Sequence, residues 1–192
     1  MDVLTRLQDW YKINCDGDWE HSYGMSLTTL DNPGWHLIMN LSDTALRNLQ
    51  YTKEYQNKDL ENDWFHIKVE NKNLQVSCGP SNLSQVLSIF FDDIIPNYSD
   101  DSFLYEVYLP MTGHDPIVWT LAQGKMLSEN TLELVEVPPI KYSEIKLRSL
   151  DDINFTENDM HIFTHPFKVG DLILTDLEDM FDGVKLVAKT KK

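Results

Sequence analysis

The densest cluster of chemically able side chains is Cys15-Asp16-Gly17-Asp18-Trp19-Glu20-His21. Carboxylates at every second position invite a calcium loop. That template needs Gly sixth and Glu twelfth. Counted from Asp16, the sixth residue is His21 and the twelfth is Leu27, so the template fails. Cys15, Asp18 and His21 offer transition-metal donors, but no zinc-like second ligand pair accompanies them. His161 and His165 are four apart, with Pro166 beside them, and no third ligand joins them. The expectation is that no metal or organic cofactor is needed. A second chemistry is thiol transfer. Cys78 precedes Gly79-Pro80 and a helix start, yet Cys78-Gly79-Pro80-Ser81-Asn82-Leu83 holds no Arg or Lys to stabilise a sulfur anion. A thiolate nucleophile needs such a cation, a base or a helix N-terminus. Cys78 therefore reads as a strand-end residue. No glycine-rich phosphate loop and no G-x-S-x-G elbow occurs.

Those residues must be held by ordinary elements. Val3, Leu4, Leu7, Trp10 and Tyr11 recur at helical spacing and predict an opening amphipathic helix. Residues 24 to 30 read as a strand, Asp31-Asn32-Pro33-Gly34 as a turn, and residues 35 to 41 as the returning strand. Residues 42 to 63 are polar and ambiguous, with Leu46 and Leu49 available to a short helix. Residues 64 to 70 alternate, Asn71-Lys72-Asn73 is a tight turn, and Leu74 to Cys78 returns. Ser81 is a candidate N-cap. Leu83, Val86, Leu87, Phe90, Phe91 and Ile94 then form one broad apolar helical face, which Pro96 should end.

The polar stretch 97 to 102 divides the chain into an expected α+β domain, 1–98, and a β-rich domain or extension, 99–192. Strands are expected near 103–109, 116–122, 131–137, 143–148, 160–163, 171–175 and 184–189, with one or two helical turns over 175–181. The fold class is thus α+β: an antiparallel sheet flanked by the N-terminal helix and the helix near 81–95, followed by a β-rich half.

Composition limits the partners. The 192 residues hold 31 acids against 16 Lys and Arg, a net charge of −15. Residues 1 to 98 carry 14 acids and 7 bases, and residues 99 to 192 carry 17 and 9, so the excess is not a tail. Such a field repels nucleic acid and anionic membrane and speeds encounter with basic partners. Two cysteines make no disulfide framework, and no stretch reads as a signal peptide or membrane span. A reduced, cytoplasmic protein is the expectation. Of five tryptophans, Trp10, Trp19, Trp35 and Trp64 lie in the first half. Trp19 differs from the rest in its polar setting between Asp18 and Glu20.

Trp10-Tyr11, the run from Cys15 to His21, Tyr23-Gly24 and Thr29-Leu30-Asp31-Asn32-Pro33-Gly34-Trp35 together resemble the immunity protein 53 family of bacterial polymorphic-toxin systems. Trp64 and the helix from Asn82 to Phe90 fit the same pattern. The likeness covers about residues 1 to 96. It implies an α+β fold and a protein that binds and neutralises a cognate toxin without catalysis. Joined to the acidity, it points to a basic nuclease as the toxin. Asp16, Asp18, Glu20 and His21 are then candidate partner contacts, with Trp19 as an aromatic anchor or, equally, as a core ring. The rival readings are a rhodanese-like thiol sulfurtransferase using Cys78 or Cys15, and a small-ligand-binding module in the C-terminal half.

Overall fold

A computed structural model of the chain describes residues 2–111, 119–139, 166–180 and 183–192. They form two compact units, Met1–Phe103 and Leu104–Lys192.

Helix α1 (Val3–Asn14) starts where Asp2 accepts from the Leu4 and Thr5 amides. This occupies donors that a helix start leaves unbonded. Leu7, Trp10 and Asn14 are its buried residues, a single stripe. After the short helix α2 (Trp19–Ser22) come the strands β1 (Met25–Leu30), β2 (Gly34–Asn40), β3 (Thr52–Gln56), β4 (Trp64–Glu70) and β5 (Asn73–Cys78). They make an antiparallel sheet in the order β1-β2-β5-β4-β3. Leu37 and Met39 of β2, Phe65 and Ile67 of β4, and Leu74, Val76 and Cys78 of β5 are buried in one cluster with Leu7, Trp10, Val86, Leu87, Phe90, Phe91 and Ile94. The alternation along the strands thus turns one sheet face to the helices.

The β1–β2 turn depends on a close approach. A Cβ on Gly34 would stand 2.4 Å from the Cys78 carbonyl oxygen on the neighbouring strand. In the β4–β5 turn Asn71 and Lys72 both have positive φ, 51° and 59°, the pattern of a two-residue hairpin loop.

Four local expectations need correction. Residues 42 to 50 form turns instead of a helix, and Ala45, Leu46 and Leu49 are buried by them. The fifth strand, β3, falls in the stretch read as ambiguous. It carries no period-2 signal because all its residues are exposed. The helix beginning at α3 (Leu83–Ile89) does not stop before Pro96. It passes through a π-helical turn, Phe90–Ile94, into α4 (Ile95–Tyr98). Pro96 lies just after the π-helical turn, at the start of that last segment. The N-cap of α3 is Asn82, not Ser81.

The segment after α4 is tied to the first unit. Asp100 Oδ2 accepts from Arg47 Nε and Asn48 Nδ2, each at 3.0 Å, and Oδ1 accepts from the Ser102 amide at 2.8 Å. The Arg47 guanidinium lies 5.3 Å from the Phe103 ring centre. Ser102 and Arg47 hold the Asp100 carboxyl at about 2, well below the usual carboxylate range.

In the second unit, β6 (Tyr105–Pro110), β7 (Trp119–Ser128), β8 (Thr131–Glu136), β9 (Leu172–Met180) and β10 (Gly183–Lys191) close into a barrel in the order β10-β6-β7-β8-β9. The β10–β6 pair is parallel and the others antiparallel. Val107, Leu109, Ala122, Leu132, Leu134, Phe167, Ile173, Leu186 and Ala188 fill its centre. Of the helical turns expected over 175–181, the residues up to Met180 are instead the end of β9. Its ladder with β10 runs from Met180 opposite Gly183 to Ile173 opposite Lys191, across a register shift. The strands expected near 143–148 and 160–163, and the His161–His165 pair, lie outside the described residues.

Candidate partner-binding site

The acidic loop between α1 and β1 is built on its own carboxylates. Asp16 Oδ1 accepts from the Asp18 and Trp19 amides, each at 2.9 Å, and Glu20 Oε2 accepts from the Gly17 amide at 3.2 Å. These bonds brace the turn that leads into α2, whose N-cap, Asp18, makes no side-chain capping bond of its own. Gly17 has φ +103°, which a side chain would strain. Asp16, Asp18 and His21 are exposed and Glu20 is half-buried. The four polar residues therefore share one short stretch of surface, although Asp16 and Glu20 also hold the loop together.

Trp19 turns inward. It is 1% exposed, and its indole N–H donates to the Ser42 carbonyl at 2.9 Å. Its ring packs edge-on against Trp10, with centroids 5.8 Å apart, and against Tyr11 at 5.9 Å. The anchor role is thereby corrected. A ring enclosed by other aromatics and bonded at its one polar atom presents no area to a partner, and core packing outweighs the polarity of its sequence neighbours.

The surface next to this loop holds apolar side chains that the sequence did not single out. Tyr23 is 44% exposed and Leu27, on β1, is 46% exposed. Their signal was present in the strand pattern: Leu27 sits mid-strand on what the DNPG turn makes an outer hairpin arm.

Neither thiol suits nucleophilic work. Burial pushes the Cys78 thiol up, and its side chain is fully enclosed. Burial also raises Cys15, and the Glu20 and Asp16 carboxylates add to the rise against a lowering bond from Tyr11. A raised thiol holds little thiolate near neutral pH. Cys15, Asp18 and His21 are not gathered as ligands. Among the described residues no group of three or more His, Cys, Asp or Glu is placed to hold a metal ion. Among them, too, no helix is long and apolar enough to cross a membrane.

Residues 4–94 match the family model of immunity protein 53. The resemblance read from the residues is thus shown for the first unit, whose core the match spans from α1 to the π-helical turn. The matched residues include the acidic loop, the β1–β2 hairpin and the whole sheet; the barrel lies beyond them. No curated protein and no solved structure matches the chain.

Proposed function

We propose that this protein is an antidote: it binds a cognate bacterial protein toxin and neutralises it by covering its working surface, running no reaction of its own. The observation that carries this is the immunity protein 53 match over residues 4–94. The chemistry of the chain is consistent with it. A net charge of −15 favours a basic partner, and a nuclease, which must hold phosphate, is basic at its cleft. The exposed carboxylates Asp16 and Asp18, with Glu20 and His21 beside them, supply charge for such a contact. The sulfurtransferase alternative asks for a thiolate, and both thiols are pushed the other way.

The test is inhibition in trans. The purified chain is added to the toxin encoded beside it, at stoichiometric amounts, and the toxin's activity is followed. Loss of activity together with a co-eluting complex supports the reading. An active toxin and no complex refutes it.

A further inference from the structure

The two edges of the first sheet are not alike. Edge β3 contains Lys53 and Glu54, and these sit against Asp93 at 3.4 Å and His66 at 3.5 Å. Charges of this kind keep an edge from pairing with foreign strands. Edge β1, Met25-Ser26-Leu27-Thr28-Thr29-Leu30, has no charge and no proline, and its register with β2 runs unbroken from Met25 opposite Met39 to Leu30 opposite Gly34.

Among the described residues no strand pairs with β1 on its other side, and the direction of its outward groups follows from the ladder. The Asn40 amide donates to the Gly24 carbonyl at 3.0 Å, which makes Gly24 and Asn40 a bonded pair. Alternation then makes Ser26–Ile38, Thr28–His36 and Leu30–Gly34 the bonded pairs. Met25, Leu27 and Thr29 therefore turn their N–H and C=O groups away from β2. Their side chains share the face of Met39, Leu37 and Trp35, which is the core face. Leu27, 46% exposed, marks the rim of that core.

We propose that β1 is a docking edge that accepts an extended, basic segment of the partner protein as an added antiparallel or parallel strand. The identification of that partner as a toxin rests on the reading above; the edge itself does not. The added strand would bond to Met25, Leu27 and Thr29 and lay an apolar side chain over Leu27. Charge selects the occupant. Asp16, Asp18 and Glu20 lie just before β1 in the chain and Asp31 just after it. A second copy pairing antiparallel through β1 would set the Asp31 end of one against the acidic loop of the other. A basic strand meets attraction at both ends instead.

The probe is a capped heptapeptide of alternating lysine and valine. Its control is the same peptide N-methylated at each valine, equal in charge but poor as a strand. Binding to the full chain is measured by fluorescence anisotropy and by amide hydrogen exchange. The expected result is slowed exchange at Met25, Leu27 and Thr29, with affinity about tenfold weaker for the methylated peptide. Thr29→Pro removes one outward N–H and leaves the β2 ladder intact, as proline on an edge strand can. It should weaken binding to a similar degree, and Leu27→Lys, which puts a guarding cation on the rim, gives the same outcome should the proline variant fold poorly. Equal binding by both peptides, unchanged exchange at the three amides, no binding, or self-association through β1 overturns the proposal. The toxin itself separates the two ideas. If Thr29→Pro still binds and silences the toxin at full strength, the docking edge is wrong and the antidote reading stands. If the wild-type chain ignores the toxin while the peptide adds to β1, the antidote reading is wrong and the edge stands.

Discussion

Trp19 and its acidic neighbours separate stability from recognition within a few residues. Removing the ring empties a site walled by Trp10 and Tyr11 and strands the Ser42 carbonyl. Trp19→Ala should therefore cost about 3–5 kcal/mol, a typical loss for a buried Trp, read as a lowered urea midpoint. Asp18 makes no capping bond and is exposed, so Asp18→Ala should change stability by no more than about 0.5 kcal/mol. The same change should slow association with the toxin and flatten its dependence on salt. A marked stability loss in Asp18→Ala would remove that residue from the contact account. The direction of Trp19 was not legible from the sequence, where Asp18 and Glu20 make it look wet. Its burial is decided by α1 and by Ser42, twenty-odd positions away, and no local pattern carries that. The carboxylates were legible as a cluster, but not the division of work by which Asp16 and Glu20 brace the loop.

At the scale of elements, periodicity revealed whatever had a buried side. Strands β2, β4 and β5, α1 and the helix from Leu83 were readable because each turns alternate or helically spaced apolar residues into one core. Strand β1, which has no buried residue, was readable from the Asp31-Asn32-Pro33-Gly34 turn that ends it. Strand β3 escaped because no residue in it is buried, and the last part of β9 was misread because its polar end resembles a helical turn. The hairpin at Asn71-Lys72 was readable from its turn residues, and it carries a correctable strain. Lys72 at φ 59° occupies a region glycine adopts freely, so Lys72→Gly should raise stability by about 0.5–1 kcal/mol in chemical denaturation. The 99–103 segment makes a pH prediction. Asp100 is depressed to about 2 in the folded protein, against about 3.9 when unfolded. Its contribution is present above the unfolded value and is lost as pH falls toward the folded one. Asp100→Asn should therefore narrow the stability difference between pH 5 and pH 2, measured by urea unfolding at each pH. An unchanged difference would show that the Arg47–Ser102 contacts do not hold this carboxylate in its charged form.

At the scale of the molecule, two independently packed units share one sign of charge, and the family match stops before the second. The closed barrel has its own core, and the five strands of the first sheet all come from the chain between Met25 and Cys78. A net charge of −15 makes the approach of a basic partner fast and salt-sensitive, whichever surface then locks it. The central claim is that this charge and surface serve to occupy a toxin. Stopped-flow association of the purified chain with the toxin encoded beside it tests that most directly, with toxin activity assayed on the same samples. The account predicts a one-to-one complex, an association rate that falls steeply as salt rises, and a toxin silenced in proportion to the complex formed. A toxin that stays active with the chain in excess, or an association rate indifferent to salt, would contradict it.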